Sequence, residues 1–241
     1  MSQPFALQHA ASTDVAVFDP ELPADGVRAA VEAAAASGCA GVRLLPAMLG
    51  QLGADAAGRL RVGVVCGFPT GRSHILVKAA EARLAAEHGA HDVAVVLDRA
   101  AVATGDANAV LSEVVALRGA VAAPTQLTVV VDAGLHASGL LDDASFDAII
   151  AAISAGGADA VATGIGWGAG AGTVERRGAG PEQILRIRAA APGLGVIAVI
   201  GDAGERVGTN GEGEDPGDRA AKALAAGAHV VQVPAASVFG D

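Results

Sequence analysis

Four aspartates stand directly behind short apolar runs: Asp19, Asp98, Asp132 and Asp202. Carboxylates gathered at one end of a fold can hold a divalent ion or divide acid and base roles. Asp is also a common N-cap where a helix begins, so each has a structural reading as well. His136 follows Asp132 by four residues and is the one histidine whose position suits proton transfer. His74, His88, His91 and His229 are scattered and show no H-x-x-x-H or H-E-x-x-H spacing. Residues 164–172, GIGWGAGAG, are richer in implication. Glycines let backbone N–H groups approach an anion with no Cβ in the way. Thr163, Gly164 and Gly166 are therefore candidate phosphate contacts, and Trp167 in the same loop could close over a ligand or pack on the rim.

The elements that must position these residues are short strands alternating with Ala-rich helices. Strands are expected at 14–19, 41–46, 61–67, 92–98, 127–132, 158–164, 195–201 and 229–234. Their nearly continuous apolar character is how strands covered on both faces of a parallel sheet read. Helices are expected at 23–36, 74–88, 108–120, 145–155, 181–191 and 218–226, with a weaker one at 47–58. Gly38, Gly89, Gly157 and Gly227 each stop a helix just before the next strand, as a left-handed C′ residue does. Eight such beats in one chain predict an α/β fold closed as a (β/α)8 TIM barrel, in a single domain over 1–241. The Gly-rich acidic stretch 201–217 breaks the rhythm and reads as an insertion after the seventh strand, either a solvated loop or a lid.

Composition narrows the function classes. The chain has 241 residues, 52% hydrophobic and only 17% charged, which is ample for a core. Sixteen basic against 26 acidic side chains give a net charge of −10, so nucleic acid is not an expected partner. No apolar run approaches the roughly 20 residues that span a bilayer, and the first residues show no secretory pattern; a cytoplasmic protein is expected. Cys39 and Cys66 form neither a disulfide framework nor a zinc spacing. No metal and no cofactor is expected. The expected partner is a small molecule, phosphorylated or not, and a barrel of this kind is compatible with a homo-oligomer.

The run VVCGFPTGRSHILVKAAEARLAAEHGAHDVAVVLD, 64–98, resembles the 2-deoxyribose-5-phosphate aldolase family. The resemblance continues through LTVVVDAG, GGADAVATGIG, LGVIAVIGDAG and AGAHVVQVPAAS, and so covers nearly the whole chain. It implies a closed (β/α)8 barrel and cleavage of deoxyribose 5-phosphate through a Schiff base on a strand-six lysine. An amine adds to a carbonyl only when neutral, so a neighbouring lysine that depresses its pKa completes such a site.

The family positions carry other residues here. The nucleophile of the Lys-Thr-Ser-Thr-Gly motif matches Ala162, followed by Thr163 and Gly164. The strand-seven lysine matches Ile197, the strand-four aspartate Ala94 and a strand-five lysine Thr128. The Asp-x-Thr element of the first strand keeps Asp14, with Ala16 in place of Thr. Of the paired phosphate contacts after strand eight, Ala236 and Ser237, only Ser237 keeps a hydroxyl; Gly201 ends strand seven. The chain has two lysines, Lys78 and Lys222, and both fall on outer helices. The expected interior is therefore stripped of charge. Three functions stay open: a homologue that binds a small ligand or partner without imine chemistry; a lyase or hydrolase using Asp14, Asp98, Asp132, His136 and Asp202, with or without a divalent ion; and an ordinary deoxyribose-phosphate aldolase.

Overall fold

Period-two alternation in each short strand divides its side chains between two cores. In β4 (Asp92–Val96), Val93 and Val95 pack outward against helices, while Ala94 and Val96 point into the barrel. The same division runs through β1 (Thr13–Val17), β2 (Gly41–Leu44), β3 (Arg61–Cys66), β5 (Gln126–Val130), β6 (Ala160–Ala162), β7 (Gly195–Val199) and β8 (Val230–Pro234). All neighbours pair in parallel, and β8 closes onto β1. The computed structural model describes residues 9–52, 58–164, 180–200 and 216–239.

Helices α1 (Ala24–Ala36), α2 (Pro46–Leu49), α3 (Ile75–Glu87), α4 (Arg99–Ala103) and α5 (Ala107–Ala120) belong to the first half. Helices α6 (Gly134–Ala137), α7 (Asp143–Ala155), α8 (Pro181–Ala190), α9 (Pro216–Ala225) and α10 (Ala236–Phe239) belong to the second. The outer core lies between helices and strands, with Phe146, Ile149, Ile150 and Ile153 of α7 fully buried. Of the helix expected at 47–58, the described residues form only the single turn α2, which Gly50 ends, and 53–57 lie outside them. The short α4, α6 and α10 have too few residues for a periodic pattern and are absent from the sequence expectation.

Following paired residues once around the barrel returns to β1 displaced by eight residues, the shear of this barrel class. Inward residues of alternate strands therefore share a level. Arg43, Ala94, Ala162 and Gln232 form one, from β2, β4, β6 and β8. Asp14, Gly63, Thr128 and Ile197 form the level beneath, and Ala16, Val65, Val130 and Val199 the level above. Among the described residues no helix is long and apolar enough to cross a membrane.

Candidate active site

Ala94, Ala162 and Ile197 all face inward and belong to one buried apolar cluster with Ala16, Phe18, Val65, Val96, Val130 and Val199. Ala162 and Ile197 are direct partners across β6 and β7. The backbone thus delivers these positions to one place, and the side chains there are hydrocarbon.

Lys78 does not reach that place. It is buried on α3, outside the strands, and its Nζ donates to the carbonyls of Gly71 (2.7 Å) and Val96 (3.2 Å) and pairs with Glu113 of α5. The other Glu113 oxygen accepts from the Asp98 N–H at 3.1 Å. The GFPTG turn explains the arrangement. Gly67 and Gly71 both adopt positive φ, and the Gly71 N–H closes the turn on the Gly67 carbonyl at 2.8 Å. A Cβ on Gly71 would sit 2.0 Å from the Leu97 carbonyl oxygen, so the turn packs directly on the end of β4. Lys78 clamps these two chain segments together and is used up in doing so. Lys222 is exposed on α9.

The expectation of an uncharged interior is overturned. Arg43 is 2% exposed, and its Nη2 lies 2.5 Å from Asp92 Oδ2 and 3.9 Å from Asp14 Oδ2. Thr128 Oγ1 donates to Asp92 Oδ1 at 2.7 Å, and Arg61 at the floor donates to Asp14 at 2.6 Å. Two arginines and two aspartates thus balance in the lower barrel on the β1–β4 side. Glycines make the room: a Cβ on Gly63 would stand 3.4 Å from the Arg43 guanidinium carbon, and one on Gly41 would stand 2.8 Å from Asp14 Oδ1. Attention to the family's catalytic positions alone passed over Arg43 and Asp92. Strand parity would have found both, since each alternates with valines or leucines that face the helices.

The other expected site residues divide as follows. Asp14 lies deep in the barrel within this network. Asp98 caps α4 by accepting from the Ala100 N–H at 2.9 Å, and Arg72 lies 3.3 Å from it. Asp132 pairs with Arg99 at 2.5 Å. These three carboxylates are each tied to a different arginine, and among the described residues no three His, Cys, Asp or Glu side chains are grouped to hold a metal ion. His136, on α6, turns toward the helices: it stacks on Phe146 (centroids 4.6 Å), its Nε2 meets Asp143 at 2.9 Å and its Nδ1 meets Gln183 at 3.2 Å. The hydrogen bond with His136, aided by Arg186, holds the exposed Asp143 carboxyl below its usual range. Thr163 is buried, and its Oγ1 accepts from the Val199 N–H at 3.1 Å, tying β6 to β7. Gly164 follows β6 beside Val199. Ser237 falls in α10. Gly166, Trp167, Gly201, Asp202 and the rest of 201–215 lie outside the described residues.

Cys66 ends β3 and faces the helix layer. Burial pushes its thiol pKa well up, with Glu81 adding to the effect, so it is packing rather than a nucleophile. His91 and His229 serve the opposite rim, where each Nδ1 accepts a strand N–H, from Val62 (3.1 Å) and Val196 (3.0 Å).

The fold is a closed (β/α)8 barrel. Solved structures agree at the level of fold. "QR15, an Aldolase" aligns over 95% of this chain and 92% of its own, with TM-score 0.74 and 21% identity. The tetrameric deoxyribose phosphate aldolase from Aeropyrum pernix aligns over 99% of this chain and 90% of its own, with TM-score 0.69 and 23% identity. Sequence relatives are closer: deoxyribose-phosphate aldolase of Corynebacterium jeikeium is 38% identical over 196 residues, 77% of this chain and 76% of the relative. That of Corynebacterium glutamicum is 38% identical over 163 residues, 67% of this chain and 71% of the relative. No family model matches. The chain belongs to the deoxyribose-phosphate aldolase family.

Proposed function

We propose that this barrel binds a small carbonyl- or hydroxyl-bearing ligand, phosphorylated or not, without forming an imine on it. The observation that carries this reading is the Ala94–Ala162–Ile197 cluster, with Lys78 engaged elsewhere. Schiff-base cleavage needs a neutral amine at the carbonyl and a second charge that keeps it neutral. A methyl group at Ala162 and a butyl group at Ile197 supply neither. Moving Lys78 inward would strand Glu113 and open the GFPTG turn, a cost of several kcal/mol by the usual penalty for breaking a buried pair, about 3–5 kcal/mol.

The phosphate end of such a ligand would meet the loops after β6, β7 and β8, to which Thr163, Gly164, Gly166, Gly201 and Ser237 belong in sequence. Asp98, Asp132 and His136 have structural partners and are assigned no catalytic role in this reading. The tetrameric Aeropyrum relative favours self-association, and exposed Leu76, Val77 and Leu84 along α3 offer an apolar face for it; size-exclusion chromatography with light scattering reads the mass.

The direct test is turnover. Incubated with deoxyribose 5-phosphate, the protein is expected to release no acetaldehyde above a no-protein control, while its melting temperature rises with ligand. Acetaldehyde release that scales with protein concentration would return the chain to the ordinary aldolases.

A further inference from the structure

Four buried polar atoms in the lower barrel have no hydrogen-bond partner among the described residues: Arg43 Nε, Arg43 Nη1, Asp14 Oδ1 and Gln232 Oε1. They are neighbours. Asp14 and Gln232 are paired residues of β1 and β8, and Arg43 Nη2 lies 3.9 Å from Asp14. The three residues are each 2–3% exposed. Leaving a buried donor or acceptor unpaired costs roughly 1–3 kcal/mol, and these four sit together in one place.

We propose that Arg43, Gln232 and Asp14 form a recognition site for the hydroxyl-bearing end of a small uncharged molecule, such as a short polyol or hydroxy-aldehyde. The proposal deepens the ligand-binding reading above and rests on it. The free groups are donors on Arg43 and acceptors on Asp14 and Gln232. A hydroxyl satisfies both kinds, because it donates once and accepts twice. Charge points the same way. Arg43 and Arg61 already balance Asp14 and Asp92, so an added anion would face the Asp14 carboxylate and an added ammonium the Arg43 guanidinium. The other two side chains at the level of Arg43 and Gln232 are the methyl groups of Ala94 and Ala162, with Ile197 beneath, a wall suited to carbon. Ala16, Phe18, Val130 and Val199 above keep 5–8% exposure. The polar group that the family places at strand six is thus replaced by one on the far side of the same shaft.

The test is calorimetric titration of the full chain with glycerol and with 2-deoxyribose, and with acetate and methylammonium as charged controls. Saturable binding of at least one uncharged probe is expected, with both charged controls weaker. Gln232→Leu keeps the volume and removes an unpaired acceptor; it is expected to leave the melting temperature unchanged or raised and to weaken the probe by about tenfold or more. No saturable binding of either uncharged probe, equal affinity in Gln232→Leu, or acetate binding as tightly would each overturn the proposal, as would a high-resolution structure with probe present and ordered water only at these atoms. Failure here is separable from failure of the ligand-binding reading: acetaldehyde release would refute the latter whatever these titrations show.

Discussion

The two sides of the barrel interior have met different fates. On the β6–β7 side every inward group is small or apolar: Ala160, Ala162, Gly195, Ile197 and Val199. On the β1–β4 side Asp14, Arg43 and Asp92 are buried and, with half-buried Arg61, joined in ion pairs. A barrel relieved of catalysis everywhere would be expected to fill with hydrocarbon, since replacing a buried ion pair by packed apolar groups is often neutral or stabilising. Charge stays on one side alone, and in the function proposed above the change is confined to the imine chemistry. The network links strands β1 to β5, and Asp14 Oδ1, Arg43 Nε and Arg43 Nη1 have no hydrogen-bond partner among the described residues.

The contrast can be broken most sharply at Asp92. Asp92→Ala leaves Arg43 buried without its closest partner and is expected to cost about 3–5 kcal/mol in urea unfolding. Ile197→Val on the other side removes one methylene and should cost only about 0.5–1.5 kcal/mol. Equal costs would show that the two sides are not energetically distinct.

Lys78→Met comes next. It strands Glu113 beside the GFPTG turn, and a loss of about 3 kcal/mol is expected on the scale of broken buried pairs, measured by the same unfolding. Because Lys78 stands outside the shaft, the affinity for uncharged probes should not change. A change in affinity would put the lysine back in the site.

Smaller effects follow from the buried thiols. Cys39 and Cys66 both have raised pKa values, chiefly through burial. A raised thiol pKa gives stability that is complete below the unfolded value, about 8.5, and is lost as pH climbs above it. Unfolding free energy is therefore expected to fall above that pH, by up to about 1.4 kcal/mol per pH unit for each thiol. Cys66→Ala should flatten the slope, and native Cys66 should resist iodoacetamide. The smallest effect is expected at Asp143. Its lowered carboxyl pKa contributes above the unfolded value and fades as pH falls through the folded one, but the group is exposed to solvent. Asp143→Asn should shift the acid limb of the stability profile barely at all.

The barrel was legible in the chain because eight Val-rich runs between Gly-terminated helices leave few other architectures. The shared inward placing of Ala94, Ala162 and Ile197 was legible because the family motifs fix register to the residue. What stayed hidden was Arg43 with Asp92. Parity in GVRLLP sets the arginine opposite to Val42 and Leu44, but its partner is 49 residues away and nothing local names it. Only closure of the sheet brings the two to one axis. His136 failed as a mouth residue for a related reason: proximity to Asp132 in sequence fixes the end of the barrel but not the direction of a ring, and Phe146 and Gln183 draw it among the helices.

The most direct test of the central claim is reduction with borohydride in the presence of deoxyribose 5-phosphate, read by intact mass and peptide mapping. An imine at a working aldolase centre would be reduced to a stable secondary amine on lysine. The expected result is an unchanged mass, with Lys78 and Lys222 both recovered unmodified. A saturable, substrate-dependent adduct mapped to Lys78 would show that its ammonium does enter the shaft, and would contradict the account.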